Sequence, residues 1–132
     1  MNSEGTHTDK PVTVMIIDDD AVTIFLTKKS LQNFDPTLTL SHFISGREAF
    51  ASLSKAGAEQ PMIILLDINM PLYNGWDFLK DYSNTSCNSS IFMFTSSIDP
   101  NDLIKSKTFS NVKGFISKPL DQNKIQDILD TL

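Results

Sequence analysis

Three nearly continuous runs of apolar residues, each followed at once by polar residues, constrain the fold of this chain more than any other feature. They are residues 12–17, 62–66 and 91–94. Such runs are typical of strands that are buried on both faces, because neither side of the strand then meets water. Residues 38–43 and 113–117 are weaker runs and predict two less buried strands. We therefore expect a sheet with three central strands and two edge strands.

Segments with helical periodicity separate these runs, so strand and helix alternate along the whole chain. The predicted helices are residues 21–34, 46–56, 76–82, 100–107 and 121–131. Their ends carry the usual signals. Ser45 can cap the second helix and Gly57 can end it, while Asp99 and Pro100 open the fourth.

This alternation predicts an α/β fold of the flavodoxin-like kind, in which a parallel sheet of five strands is doubly wound with five helices. Right-handed crossovers, with the two weaker strands at the edges, favour the strand order 2-1-3-4-5. The length of 132 residues suits one domain, which we place at residues 11–132. Residues 1–10 are polar and are expected to form a flexible tail.

The charge balance argues against some classes of function. With 16 acidic and 11 basic residues the net charge is -5, whereas nucleic-acid binding needs a surplus of Lys and Arg. No stretch resembles a signal peptide or is apolar for long enough to span a membrane, so we expect a cytoplasmic protein without a membrane partner. The single cysteine, Cys87, has no neighbouring ligand residue and is assigned no role.

Polar side chains stand where four of the predicted strands end. Asp18 and Asp19 follow the first strand, Asp67 the third, Thr95 the fourth and Lys118 the fifth. The carboxyl ends of parallel strands share one edge of the sheet, and strands one and three are neighbours where the winding direction reverses. These side chains should therefore meet in one pocket.

The carboxylates in such a pocket repel one another, so the fold must raise their pKa values or supply positive charge. Lys118 supplies one charge. A hard divalent cation with oxygen ligands fits the remainder, and Mg²⁺ is the expected occupant. A carboxylate nucleophile beside a metal ion, a lysine and a threonine hydroxyl is suited to phosphoryl transfer.

These motifs resemble those of the receiver domains of bacterial two-component response regulators, of the stand-alone, CheY-like kind. That family carries an acidic pair after strand one, an acceptor Asp after strand three, Ser or Thr after strand four and Lys-Pro after strand five. The matching residues here are Asp18-Asp19, Asp67 with Asn69, Pro71 and Asn74-Gly75, Thr95-Ser96, and Lys118-Pro119. The resemblance covers about residues 12–132.

The resemblance implies that Asp67 accepts a phosphoryl group from a phosphohistidine donor, while Thr95 and Lys118 contact the phosphoryl oxygens. Phe115 takes the position of a switch aromatic that is often Tyr in the family, so a switch held by a phenolic hydroxyl is not expected. The bond between Lys118 and Pro119 is implied to be cis.

A magnesium site is also implied by the resemblance. Asp19 and Asp67 would bind Mg²⁺ directly, Asn69 would offer its backbone carbonyl, and Asp18 would hold the ion through water. Asp20 follows the acidic pair and is interpreted as a cap of the first helix and not as a metal ligand.

A protein of this kind signals, and it catalyses only its own phosphorylation and dephosphorylation. The implied partners are a sensor histidine kinase or phosphotransfer protein and an unknown downstream protein. The downstream protein would bind at the face of helix 4, strand 5 and helix 5. We expect a monomer or a weak phosphorylation-dependent dimer. We expect no output domain after Leu132, and the response should then travel by binding another molecule or by passing the phosphoryl group on.

Three other functions compete with this interpretation. A pseudo-receiver, which keeps the fold as a binding module without phosphorylation, is the main alternative. A phosphatase of the haloacid-dehalogenase type needs a second Asp two residues after the nucleophile, where this chain has Asn69. A flavin-binding carrier would need a phosphate loop after the first strand, where three aspartates would repel the phosphate.

Overall fold

Strands and helices alternate from the first element to the last. The structure, a computed structural model, describes residues 11–132, so the predicted tail at residues 1–10 lies outside the described residues. The strands are β1 (Thr13–Ile17), β2 (Thr39–Phe43), β3 (Ile63–Leu66), β4 (Ser90–Thr95) and β5 (Val112–Ser117). The helices are α1 (Ala21–Phe34), α2 (Gly46–Leu53), α3 (Gly75–Tyr82), α4 (Pro100–Ser106) and α5 (Gln122–Leu129).

The five strands form one parallel sheet in the order β2-β1-β3-β4-β5. This confirms the predicted order and the predicted edges. All four residues of β3 are buried, whereas no residue of β2 or β5 is. The continuous apolar runs are therefore the inner strands, because only an inner strand has helices on both faces and a paired strand on each side.

Alternate residues of the inner strands divide the interior into two cores. One core lies under α2 and α3 and contains Met15, Ile17, Ile64, Leu66, Met93, Ala49, Phe78 and Tyr82. The other lies under α1 and α5 and contains Val14, Ile16, Ile63, Leu65, Phe92, Phe94, Ile24 and Ile125. Successive side chains of a strand point to opposite faces, so each inner strand contributes to both cores. The sheet is thus fixed from both sides.

The helix starts are set by short polar side chains. Asp20 caps α1 and Ser45 caps α2, as predicted, and Asn74 and Asp77 form a reciprocal capping box at the start of α3. The predicted end of the second helix was wrong. α2 ends at Leu53, and Gly57, with φ of 78°, lies in the turn that follows.

None of the helices among residues 11–132 combines the length and the apolar character that crossing a membrane requires.

A substitution of Phe78 tests the packing of the core beneath α2 and α3. Its ring is fully buried, lies edge-on to Phe50 with centroids 6.2 Å apart, and stacks on Tyr82 at 5.6 Å. Phe78→Ala should lower the free energy of unfolding by about 3–5 kcal/mol, because it removes buried ring area and leaves a cavity. Urea denaturation measures the change.

Phe25→Ala is the matched control, since the same side chain is 61% exposed on α1 and lies 5.6 Å from the Lys29 ammonium. Its cost should stay below about 1 kcal/mol. Equal costs for the two variants would contradict the packing described here.

Candidate functional site

Three aspartates converge at the carboxyl edge of the sheet, where β1 and β3 end side by side. Asp18 and Asp19 follow β1 and Asp67 follows β3. One carboxylate oxygen from each can be chosen such that all lie within 4.8 Å of one another. Asp18 is fully buried and Asp67 is 6% exposed, while Asp19 faces solvent. The cluster is therefore reached from its Asp19 side.

Backbone hydrogen bonds extend the sheet by one residue and so fix where these side chains begin. The N–H of Asp18 donates to the carbonyl of Phe43 at 3.1 Å, and the N–H of Asp67 donates to that of Ile17 at 2.9 Å. On the other side of the site, the N–H of Lys118 donates to the carbonyl of Thr95 at 2.8 Å. Rigid strand ends, and not free loops, thus position the charged groups.

Lys118 crosses from the end of β5 to the aspartates. Its Nζ lies 2.7 Å from Asp18 Oδ2 and 3.4 Å from Asp67 Oδ1. The ammonium also lies 5.5 Å from the centre of the buried Phe94 ring. The bond between Lys118 and Pro119 is cis, as the resemblance implies.

The surroundings of Asp67 and Lys118 explain the direction in which the pKa of each is shifted. Burial, followed by the charge of Asp18, raises the pKa of the Asp67 carboxyl, and Lys118 only partly offsets this. Burial works to lower the pKa of Lys118. The hydrogen bond and charge of Asp18, with Asp67 adding to them, outweigh burial, so the pKa of the ammonium is raised. Lys118 is therefore cationic, and Asp67 carries its negative charge at a cost.

The residues present fit a hard divalent cation. Asp18 Oδ2 is buried, and the Lys118 ammonium, 2.7 Å away, is its counter-charge. One lysine cannot neutralise three carboxylates, and a cluster of carboxylate oxygens is the donor set that Mg²⁺ prefers. Asn69, the fourth predicted ligand, is exposed two residues past Asp67, and its N–H donates to Asp67 Oδ1 at 3.4 Å.

Asp20 stands apart from the cluster. Its carboxylate accepts hydrogen bonds from the Val22 N–H at 3.0 Å and from the Thr23 hydroxyl at 2.9 Å. The Thr23 hydroxyl and then the Val22 N–H lower the pKa of Asp20. Both carboxylate oxygens serve the first turn of α1, which confirms the interpretation of Asp20 as a cap.

Thr95 and Phe115 occupy neighbouring strands beside the pocket. Thr95 is buried, and its hydroxyl donates to the carbonyl of Ser97 at 3.2 Å. Phe115 is half-buried on β5 and packs against the core beneath α3. The predicted switch residues thus lie on adjacent strands, and the Thr95 hydroxyl is bound to the Ser97 carbonyl.

Sequence reasoning missed two residues that shape the site. A Cβ on Gly75 would lie 2.7 Å from the carbonyl oxygen of Asp67, so the start of α3 can approach the Asp67 backbone only as glycine. Tyr73 is buried between α2 and α3. Gly75 entered the sequence analysis only as part of the motif around Asp67, without this role, and no periodicity in the sequence points to Tyr73.

The chain is similar to response regulators in sequence and in structure. The family model described as the response regulator receiver domain matches residues 14–130. An uncharacterised response regulatory protein of Staphylococcus epidermidis is 29% identical over 119 residues, which cover 90% of this chain but 45% of that protein. The chain therefore spans less than half the length of this curated relative.

Solved structures show the same likeness. The two-component response regulator from Cytophaga hutchinsonii has a TM-score of 0.84 at 28% identity, over 92% of this chain and 97% of that one. The chemotaxis protein CheY4 of Vibrio cholerae has a TM-score of 0.78 at 24% identity, over 92% and 98%, and shares the fold.

Asp67→Asn should stabilise the protein at neutral pH in the absence of divalent cations. The pKa of Asp67 is raised, so folding favours its neutral form. This contribution to the free energy of unfolding is fully present below the ordinary pKa of 3.8 and is lost as the pH rises through the raised pKa. The amide carries no charge and avoids this loss. Melting temperatures across pH 3 to 8 should therefore show an advantage for Asp67→Asn that shrinks in acid.

Asp127→Asn on α5 is the matched control, because Asp127 is exposed and should change the melting temperature little. If Asp67→Asn is less stable than the parent at pH 7, the carboxylates do not repel one another as described.

Proposed function

The chain belongs to the response regulator receiver domain family of two-component signalling, and on that basis we propose that it accepts a phosphoryl group on Asp67 from a phosphohistidine donor and thereby changes which protein it binds. One observation carries the proposal. Lys118 Nζ lies between the carboxylates of Asp18 and Asp67, at 2.7 and 3.4 Å, and carboxylate oxygens of Asp18, Asp19 and Asp67 lie within 4.8 Å of one another, close enough to share a further cation. A structural ion pair would need only one of these acids.

In the proposed reaction an oxygen of the Asp67 carboxylate attacks the phosphorus atom of the donor. The new O–P bond forms as the N–P bond to the donor imidazole breaks, and the electron pair returns to the imidazole nitrogen. Lys118 is in reach of Asp67 and offsets charge on the phosphoryl oxygens. The Thr95 hydroxyl can donate to one of those oxygens once it leaves the Ser97 carbonyl.

A magnesium ion would supply the remaining positive charge and orient the phosphoryl oxygens. Asp19 and Asp67 would hold it directly, together with the backbone carbonyl of Asn69, and Asp18 would hold it through water. The exposure of Asp19 and Asn69 supports this assignment, because an ion that keeps several water molecules needs an open side to the site.

The same residues argue against the competing functions. The carboxamide of Asn69 is too weak an acid and too weak a base to serve as a general acid/base, so Asp67 lacks the partner that a haloacid-dehalogenase phosphatase requires. A pseudo-receiver would not need Lys118 placed against two buried acids. We therefore infer a signalling module that catalyses only its own phosphorylation and dephosphorylation.

The proposed partners follow from this chemistry. A sensor histidine kinase or a phosphotransfer protein supplies the phosphoryl group in the cytoplasm, and a downstream protein reads the result at α4, β5 and α5. Exposed apolar side chains on α4 support this output face, since Leu103 is 40% and Ile104 67% exposed. α4 buries only Ser106, so few contacts resist its displacement. We expect a monomer or a weak phosphorylation-dependent dimer.

Phosphorylation should occur at Asp67 alone. Incubation with acetyl phosphate and Mg²⁺ should add one alkali-sensitive phosphoryl group, detected by mass spectrometry, and chelation of the metal should abolish the reaction. Asp67→Asn should reduce labelling to background, because an amide oxygen is a poor nucleophile. Lys118→Ala should slow labelling while leaving the acceptor in place.

Asp127→Asn removes an exposed carboxylate of α5 and should label like the parent. Labelling of Asp67→Asn at the parent's level would show that the acceptor is another residue.

Output should depend on Thr95 and Phe115. When the Thr95 hydroxyl turns from Ser97 toward the phosphoryl group, it leaves space that the half-buried Phe115 ring can enter. Activation shifts an existing equilibrium between ring positions in proportion to the differential affinity of the two states. Phe115 lacks a hydroxyl that could hold it outside, so a smaller outward bias is expected than for Tyr.

Beryllofluoride with Mg²⁺ should therefore change the NMR ring contacts of Phe115 in the parent but not in Thr95→Ala. The ring signals of Phe25, exposed on α1, serve as an internal control and should stay unchanged. If the Phe115 ring does not move on activation, or moves as fully in Thr95→Ala as in the parent, the proposed coupling between Thr95 and Phe115 is wrong.

A further inference from the structure

The loop between β3 and α3, residues 68–74, carries Asn69 and must hold its backbone in place beside Asp67. Its hydrogen bonds are local. The Met70 N–H donates to the Ile68 carbonyl at 3.2 Å, the Gly75 N–H to the same carbonyl at 2.9 Å, and the Tyr73 N–H to the Pro71 carbonyl at 2.7 Å. The Asn74 N–H donates to Asp77 Oδ2 at 3.0 Å, and the bond from the Asn69 N–H to Asp67 Oδ1 is long, at 3.4 Å. None of these bonds reaches α2, so side-chain contacts must fix the loop against that helix.

Two consecutive side chains of the loop point in opposite directions. Leu72 adopts a left-handed backbone conformation, with φ of 69°, and its side chain is 99% exposed. Such a conformation costs a leucine roughly 1 kcal/mol or more, so other contacts must stabilise the loop here. The next residue, Tyr73, is turned inward and is only 9% exposed.

Tyr73 connects the loop to two helices. Its ring covers Gly46, where a Cβ would lie 2.9 Å from Tyr73 Cδ2, and the Arg47 guanidinium lies 4.9 Å from the ring centre. Its hydroxyl donates to a carboxylate oxygen of Asp81 on α3. The ring thus packs on the first turn of α2 while the hydroxyl is tied to α3.

The Tyr73 hydroxyl keeps its proton in this arrangement and so remains a hydrogen-bond donor. Burial, followed by the hydrogen bond to Asp81, raises the pKa of Tyr73 further above neutrality. Asp81 lies one and a half turns into α3, and its side chain is half-buried. A charge-assisted hydrogen bond to a half-buried acceptor restricts the ring more than apolar packing does, because it is directional.

We propose that Tyr73, through its hydrogen bond to Asp81, is a positioning residue for the Mg²⁺ site: it fixes the loop that carries Asn69 against α2 and α3. The proposal rests on the proposed function, since Asn69 is a ligand only if the site binds metal. Tyr73 itself lies seven residues beyond the end of β3 and acts through the loop backbone and not on the phosphoryl group. Groups outside the ligand set commonly tune metal affinity in this way.

Tyr73→Phe tests the role of the hydroxyl, because it keeps the ring and its packing. Mg²⁺ should bind about 2- to 10-fold more weakly, the loss expected for one hydrogen bond, measured from the NMR shifts of the Asp67 and Asn69 amides during titration with the metal. Without metal, the Met70 and Gly75 amides should exchange faster than in the parent. Phosphorylation should slow at limiting Mg²⁺ and recover at saturating Mg²⁺.

Tyr82→Phe is a matched control on the same helix. The Tyr82 ring is 1% exposed, and its hydroxyl accepts a hydrogen bond from the Ser89 N–H at 2.9 Å, at the end of α3 remote from the site. This variant loses a buried hydrogen bond as Tyr73→Phe does, so it should lower the melting temperature with no change in Mg²⁺ affinity.

Asp81 provides the second arm of the test. Asp81→Asn keeps an oxygen acceptor and should retain most of the parent's Mg²⁺ affinity, while Asp81→Ala should match Tyr73→Phe. The double variant Tyr73→Phe with Asp81→Ala should be no worse than either single variant, since both remove one interaction.

If Tyr73→Phe binds Mg²⁺ like the parent and only melts earlier, as Tyr82→Phe does, Tyr73 is a packing residue and the proposal is wrong while phosphorylation at Asp67 stands. If Mg²⁺ does not shift the NMR signals of the Asp67 and Asn69 amides in the parent, the proposed function fails and this proposal fails with it.

Discussion

Repulsion among the buried carboxylates at the end of β1 and β3 is the constraint on which this structure depends. Asp18 and Asp67 lie in contact range of one ammonium, and Asp19 adds a third negative charge at the open side. Lys118 relieves the repulsion without cancelling it, as the raised pKa of Asp67 shows, with burial its main cause. The site is therefore held in a state that favours a bound cation or the loss of a negative charge at Asp67. The same feature is unfavourable for the stability of the fold, as is common where charged groups are collected at a functional site.

The sheet makes this arrangement possible because it fixes the backbone before any side chain is considered. Asp18, Asp67 and Lys118 each donate a backbone hydrogen bond to the neighbouring strand just beyond the last ladder residue. The inner strands carry a core on each face, so displacing one strand end would disturb both cores. The parts of the molecule that are packed lightly enough to move lie beside this fixed edge. α4 buries only Ser106, and Phe115 on the edge strand β5 is half-buried. Rigid acids beside a lightly packed face suit a protein in which a local charge change alters a distant surface.

The likeness to the Cytophaga hutchinsonii response regulator is close in structure and modest in sequence, with a TM-score of 0.84 at 28% identity. Cores of this kind tolerate exchange among apolar side chains when volume and pattern are kept. Two residues near the site do not follow from the apolar pattern. The proposed switch residue Phe115 is a ring without a hydroxyl, and the hydrogen bond from Tyr73 to Asp81 connects the loop at residues 68–74 to α3.

The sequence by itself determined the elements, the strand order and the candidate ligands, because each of these depends on local pattern. Apolar runs ending in Asp18 and Asp67 predict buried strands with acids at one edge, and Asp20 predicts a cap from its position alone. The tertiary structure decided what depends on contact between distant residues. The end of α2 at Leu53, ahead of Gly57, the approach of Gly75 to the Asp67 carbonyl, and the inward turn of Tyr73 onto Gly46 all arise where segments far apart in sequence meet. Periodicity records which face of an element is apolar, and it holds no information on how closely another backbone approaches.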